Sequence, residues 1–224
     1  MAIKPILFNT EMVRAIMDGR KTCTRRVIKL PWEECPACKY VHNEYIYDKM
    51  AENVYCARCG CPLEPERRSP YQPGDILYVR ETWMDYAGLT MYKADCDIYR
   101  LDSLNFAGFG WKPSIHMPKE AARIWLKVTN VRVERLQEIT ETQTEEEGFL
   151  FTPPCLHRTG ENYCDIDGPC GSKIKYCDMS AGELFGKVLW DSTIKKTDID
   201  IYGWDANPWV WVIEFERCEK PKEM

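Results

Sequence analysis

The chain has 224 residues, a formal charge of -5, 45% hydrophobic residues and twelve cysteines. That is enough for one core with insertions, and the acidic balance excludes a generally basic nucleic-acid coat, though not a local basic strip. No run approaches the ~18–20 apolar residues of a membrane-spanning helix and no signal-peptide core opens the chain, so a cytoplasmic protein is expected, with no membrane partner. Cysteines in such a setting read as metal ligands or free thiols rather than disulfides.

Lys4 to Asn9 predicts a first strand, followed by a helix from Thr10 to Asp18 with Thr10 as N-cap, a buried face of Met12, Val13, Ile16 and Met17, and Gly19 as the stop. Behind it comes Arg20-Lys21-Thr22-Cys23-Thr24-Arg25-Arg26; between Gly19 and Pro31 there are five cations and no acid. Helix-end electrostatics explains Arg20 and Lys21 better than Arg25 and Arg26. The functional alternative is an anion or nucleobase site where Lys21 and Thr24 converge. One uninterrupted strand would send those two to opposite faces, so convergence requires the turn to extend through Lys21.

Residues 31–70 lose both helical and strand periodicity and read as an inserted module. Cys35-Pro36-Ala37-Cys38 and Cys56-Ala57-Arg58-Cys59 form two C-x2-C pairs separated by 17 residues. Each supplies two thiolates from a tight turn, as tetrahedral zinc requires, and four protein ligands make a closed structural site. Cys61 is one thiol too many and an alternative to Cys59.

Gln72-Pro73-Gly74-Asp75 is a turn feeding a β-rich run from Ile76 to Trp83, with a further strand around Thr90 to Lys93. Residues 107–118, with His116, read as a shaped loop; Pro118 then opens a helical turn through Ala121. Residues 123–136 read as a long strand whose apolar parity changes, Ile124, Leu126 and Val128 giving way to Val131 and Val133, so a bulge or bend is expected near Asn130.

Thr140-Glu141-Thr142-Gln143 is a capping box for a helix from Thr140 to Glu147 ended by Gly148, and Ser180-Ala181-Gly182-Glu183 opens another that buries Leu184, Phe185, Val188 and Leu189. Between them, residues 151–179 form a second cysteine-bearing insertion. Its Cys155, Cys164, Cys170 and Cys177, with His157 as substitute, are the ligands expected for a second zinc ion, against the bland alternative of a loop with free thiols. Isolated Cys23, Cys96 and Cys218 read as small buried residues. The chain closes on an alternating strand from Trp209 to Glu216 with its odd positions apolar. Scattered strands with short helices point to an α+β protein built as a small, mostly β barrel decorated by helices.

The series Gly19-Arg20-Lys21-Thr22-x-Thr24-x-Arg26, then Pro73-Gly74-Asp75-x-Leu77, then a Thr140-capped helix with Glu147, resembles the ASCH domain family. Lys4-Pro5-Ile6-Leu7-Phe8, Val79-Arg80-Glu81-Thr82-Trp83 and Trp204-Asp205-Ala206-Asn207-Pro208-Trp209 resemble most closely the ASCH-like proteins of bacteriophages and prophages. The resemblance covers most of the chain outside the two insertions. It implies a single PUA-like mixed β-barrel domain over 1–224 and either RNA or nucleotide binding, or catalysis. Small bacterial members are amidohydrolases that deacetylate N4-acetylcytidine with a lysine, a threonine and a glutamate, positions that correspond here to Lys21, Thr24 and Glu147.

On that reading Thr24 is the nucleophile, neutral Lys21 the base, and Glu147 binds the cytosine amino edge or relays a proton. Arg20, Arg25 and Arg26 face negative charge on substrate or intermediate. Arg80, Glu81, Trp83 and His116 are candidates for lining the same pocket, against structural roles in a strand and a loop. The alternative function is a non-catalytic, zinc-stabilised RNA-binding module of phage origin. A third reading gives the cysteine-rich insertions a protein partner.

Overall fold

The computed structural model describes residues 1–29, 35, 37–39, 45–48, 53–62, 69–86, 88–96, 110–149 and 179–221. The chain divides into two compact units: Met1–Arg25, Ser69–Arg132 and Val212–Met224 form the first, Arg26–Arg68 and Val133–Trp211 the second. The principal sheet has five strands: β1 (Ile3–Leu7), β5 (Ile76–Arg80), β8 (Trp125–Arg135), β9 (Trp209–Cys218) and β2 (Cys23–Val27), in that order. It is mixed, because β1 runs parallel to β5 in the register Ile3↔Ile76 to Leu7↔Arg80, while β5 runs antiparallel to β8. β1 and β2 are its two ends. The architecture is therefore α+β, as expected, but no closed barrel is found among the described residues.

Within the first unit, Pro5 sits on β1, a sheet edge, where its missing N–H costs least. Helix α1 spans Thr10–Met17, and its N-cap is Asn9 rather than Thr10: the Asn9 side chain accepts from the Met12 N–H at 2.8 Å. Val13, Ala15 and Ile16 are buried, whereas Met17 is exposed, so the buried stripe is shifted from the one expected. Gly19 has φ +77° and ends the helix as predicted. Its N–H bonds the Ile16 carbonyl and that of Arg20 bonds the Ala15 carbonyl, the paired closure that a left-handed C′ residue permits.

The expected strand over 76–83 is two strands. β5 stops at Arg80, and β6 (Trp83–Tyr86) forms a hairpin with β7 (Leu89–Tyr92), the near equivalent of the strand expected at 90–93. Ile76, Trp83, Met117, Ala122 and Trp125 pack into one core cluster. Pro118 precedes a 3-10 turn over Lys119–Ala121. β8 runs unbroken, but Thr129 and Asn130 are both exposed and the buried parity passes from Leu126 and Val128 to Val133 across them.

In the second unit, β3 (Tyr45–Asp48) and β4 (Asn53–Cys56) form a hairpin. Helix α2 (Glu141–Glu146) carries the predicted box, with Thr140 accepting from the Gln143 N–H and Gln143 accepting in return, and Gly148 at φ +81°. Helix α3 (Ala181–Leu184) has its box at Ser180 and Glu183, then widens into a π-helical stretch over Phe185–Trp190 before α4 (Asp191–Thr193). The widening explains why Val188, expected inside, is exposed while Trp190 is buried. Gly186 fits there because a Cβ would lie 2.0 Å from the Trp204 ring. In β9 the even Val210 and Val212 are buried as well as the odd Trp211, Ile213 and Phe215, since this strand is interior to the sheet and covered on both faces.

Candidate functional site and metal centre

On the basic turn behind α1, Lys21 is withdrawn from solvent although Gly19 and Thr22 are exposed. The Lys21 N–H donates to the Ala15 carbonyl at 3.0 Å, so the turn extends through Lys21, and β2 begins only at Cys23. Lys21, Thr24 and Arg25 are 2%, 1% and 2% exposed. A lysine and an arginine are almost never this buried unless paired, which makes the cluster unlike an ordinary helix end. Lys21 Nζ lies 5.5 Å from the centre of the Phe8 ring, and Phe8 packs against Phe215 at 6.1 Å, so an aromatic wall flanks the amine. The Arg25 guanidinium reaches the Cys23 sulfur at 4.0 Å. Arg20, by contrast, is paired to Asp18 at 2.9 Å and matches the helix-end reading.

Arg26 and Glu147 belong to the second unit. Arg26 is half-buried. Glu147 is the C-cap of α2 and 3% exposed, although Glu145 in the same acidic run faces solvent. Burial of one carboxylate out of a run of three is not what a solvated helix face would give.

Arg80, Glu81, Trp83 and His116 all lie in the first unit. Arg80 Nε donates to the Met117 carbonyl at 2.8 Å and its Nη2 to that of Ile115, clamping the loop that carries His116, whose own side chain is exposed. Glu81 is 1% exposed and takes a two-pronged grip from Arg123, Nε to Oε1 at 2.9 Å and Nη2 to Oε2 at 3.0 Å. Arg123 also binds Asp95 at 2.7 Å and stacks 3.9 Å above the Tyr92 ring. Burial pushes the Glu81 carboxyl up against the opposing pull of Arg123. Trp83 is part of the core cluster, with Lys112 Nζ 4.6 Å over its ring and no hydrogen-bond partner for its indole N–H among the described residues. Arg123 and Asp95 carry no local spacing signal, because Arg123 lies 42 positions from Glu81 and 28 from Asp95.

The second unit also holds an open cleft of about 630 Å³ between Gln137, Glu141, Ser180, Lys187 and Trp204, with Lys187 3.4 Å from Asp205. It is assembled from segments remote in sequence, and the Ser180–Glu183 capping box and the Trp204-Asp205 motif that line it carry no local sign that they meet.

The first cysteine module closes on itself. Lys39 and Gly60, the residues that follow the two C-x2-C pairs, both have positive φ, and their N–H groups return to the carbonyls of Cys35 and Cys56 at 2.9 Å each. The two turns are therefore built alike. Cys35, Cys56, Cys59 and Cys61 have sulfurs all within 4.8 Å of one another, close enough to hold a metal ion. Cys38 comes to 3.7 Å from Cys56.

Burial pushes the Cys35 thiol up, but the Cys38 N–H, the Cys61 thiol and the Ala37 N–H outweigh it and bring it down to about 5. Cys56 is likewise lowered, its burial outweighed by the N–H groups of Cys59 and Arg58. The Cys61 N–H acts to lower Cys59, yet the Cys61 thiol and burial leave it raised, to about 11; Cys61 is raised chiefly by the Cys35 sulfur. The first cysteine of each turn thus sits in a cradle of backbone amides suited to an anionic sulfur. A bound cation would supply for the others what those amides supply here.

Cys155, His157, Cys164, Cys170 and Cys177 lie outside the described residues. Cys23 and Cys96 are buried and Cys218 half-buried. Among the described residues no helix is long and apolar enough to cross a membrane. No family model, curated protein or solved structure matches the chain.

Proposed function

We propose that this chain is a nucleobase-directed amidohydrolase that removes an acyl group from the exocyclic nitrogen of N4-acylcytidine or a related nucleoside, and that a structural zinc ion at Cys35, Cys56, Cys59 and neighbouring thiols stabilises its first insertion. The observation that carries the catalytic reading is the withdrawal from solvent of both Lys21, at the end of the turn, and Thr24, on β2. Amide hydrolysis by a threonine needs a base that is not itself a hydrated ammonium, and a lysine kept from water is the form that can serve. The order of motifs shared with the ASCH family supports the same assignment, and on it the five-stranded sheet is the wall of a PUA-like arrangement.

In this mechanism Thr24 Oγ1 attacks the acyl carbon while its proton passes to Lys21 Nζ. The oxyanion of the tetrahedral intermediate needs a donor on the Thr24 face of β2, and Arg25, the next residue of the strand, points to the other face with Cys23. Collapse breaks the C–N bond, and the proton held by Lys21 goes to the departing cytosine nitrogen. Water then attacks the acyl-threonine ester as Lys21 takes its proton, and that proton passes to Thr24 Oγ1 as the ester C–O bond breaks, restoring the hydroxyl and releasing the carboxylic acid. Phe8, beside the amine, excludes water from it.

The test is chromatographic: the purified protein incubated with N4-acetylcytidine yields cytidine and acetate. Lys21→Ala and Thr24→Ala each lower the rate by at least about a hundredfold. If the intact protein turns over none of a panel of acylated nucleosides, yet retains RNA in a salt-dependent way lost in Arg25→Ala and Arg26→Ala, the non-catalytic RNA-binding reading replaces this one.

A further inference from the structure

Five thiols converge on a centre that a tetrahedral ion fills with four. A thiolate-to-zinc bond of about 2.3 Å sets neighbouring ligand sulfurs about 3.8 Å apart. Cys35 and Cys59 stand 3.7 Å apart, and so do Cys38 and Cys56, so each pair spans one edge of such a tetrahedron. Cys61 lies 3.0 Å from Cys35 and 3.1 Å from Cys59, nearer than two ligands of one ion. Yet Cys61, not Cys38, completes the set whose sulfurs are all within 4.8 Å of each other. Cys35, Cys56 and Cys59 are common to both descriptions, and the fourth corner has two claimants.

Neither claimant is a stray side chain. Cys61 is held by its own carbonyl, which accepts from the Cys56 N–H at 3.0 Å, and by the bridge between Tyr55 and Pro62 that follows it. Cys38 is fixed by the turn that Lys39 closes onto Cys35. We infer that a soft divalent ion at this centre is bound by Cys35, Cys56 and Cys59, with the fourth position exchanging between Cys38 and Cys61. The inference rests on the metal reading above.

Exchange needs no oxidant. The incoming thiol loses its proton as its sulfur bonds the ion, the outgoing thiolate gains one as its bond breaks, and the ion keeps its charge. Such a centre passes its ion on faster than a four-cysteine site, because a fifth sulfur can enter before any ligand leaves.

The experiment uses the full chain loaded with zinc. Metal content is measured first, and the protein is then treated with iodoacetamide and its cysteine peptides read by mass spectrometry. The label is expected to divide between Cys38 and Cys61, with Cys35, Cys56 and Cys59 protected. In Cys38→Ala the protection extends to Cys61, in Cys61→Ala to Cys38, and each single variant keeps the ion but releases it to a chelator severalfold more slowly. The double variant binds one equivalent less zinc than the intact protein. Label confined to Cys61, with Cys38 fully protected, means two ordinary C-x2-C turns and overturns the exchange; label confined to Cys38 overturns it equally. Zinc-free protein at the first step removes the metal reading itself, a failure seen before any labelling.

Discussion

Asp75 gathers the Lys4 ammonium at 2.6 Å and the N–H groups of Ala2 and Gln72 at 2.9 and 3.1 Å. Burial alone would push its carboxyl up, but Lys4 and the two N–H groups together hold it below the ordinary carboxylate value. A depressed folded value means the unfolded chain binds the proton first as pH falls. The stabilisation is therefore fully present above the ordinary carboxylate range and is lost as pH descends through the lower, folded value. Urea midpoints measured from about pH 6 to pH 2 should fall on the acid side in the intact protein, while Asp75→Asn should be less stable at neutral pH and show a flatter acid limb. Parallel curves in the two proteins would remove Asp75 from the acid transition. The turn that carries Asp75 was legible from Gln72-Pro73-Gly74, since proline and glycine constrain the backbone locally. Its partner Lys4, 71 positions away, was not. The same contrast separates Lys21 from its surroundings: its place on the turn follows from Gly19, but its burial depends on Phe8 and on covering elements that spacing cannot reveal.

Among the elements, both capping boxes were readable because their partners lie three residues apart and no distant contact decides them. At α1 the choice between two adjacent cap residues was decided by backbone geometry, Asn9 being extended with ψ 170° and Thr10 already helical. Asn9→Ala should accordingly cost about 1 kcal/mol of stability, and Thr10→Ala no more than a few tenths, by denaturant unfolding. A larger loss at Thr10 would move the cap back to it. The helix after Ser180 departs from its expected second turn where the Trp204 ring, 18 positions on, lies against Gly186 and the backbone widens. β9 is legible by alternation, yet the even Val210 and Val212 are buried too while Glu216 is exposed, since alternation records one face and the cover on the other comes from elements remote in sequence. Parallel pairing of β1 with β5 spans some seventy residues and had no local signal at all.

At the scale of the molecule, the division into two units makes the metal reading separable from the rest of the fold. The β3–β4 hairpin is two strands of four residues, and a hairpin of that size is at best marginal in water on its own. What ties it is the cysteine cluster at its end: Cys56 closes β4, the Cys59-Gly60 turn folds back on Cys56, and Cys61 bonds the same residue. Structural zinc in small cysteine modules contributes about 10–16 kcal/mol of apparent binding energy at neutral pH, far more than the hairpin's own pairing. Removing the ion should therefore release this hairpin without releasing the first unit, whose β1 and β5 are held by parallel pairing and by the Lys4–Asp75 contact. Amide exchange followed by mass spectrometry, with and without a zinc chelator, puts the two side by side. Peptides covering 45–48 and 53–56 are expected to lose protection on chelation, while those covering 3–7 and 76–80 keep theirs. Unchanged exchange at the hairpin would mean that the cysteines need no ion to hold it. Loss at both places would mean that the ion supports the entire chain, so that the two units unfold as one.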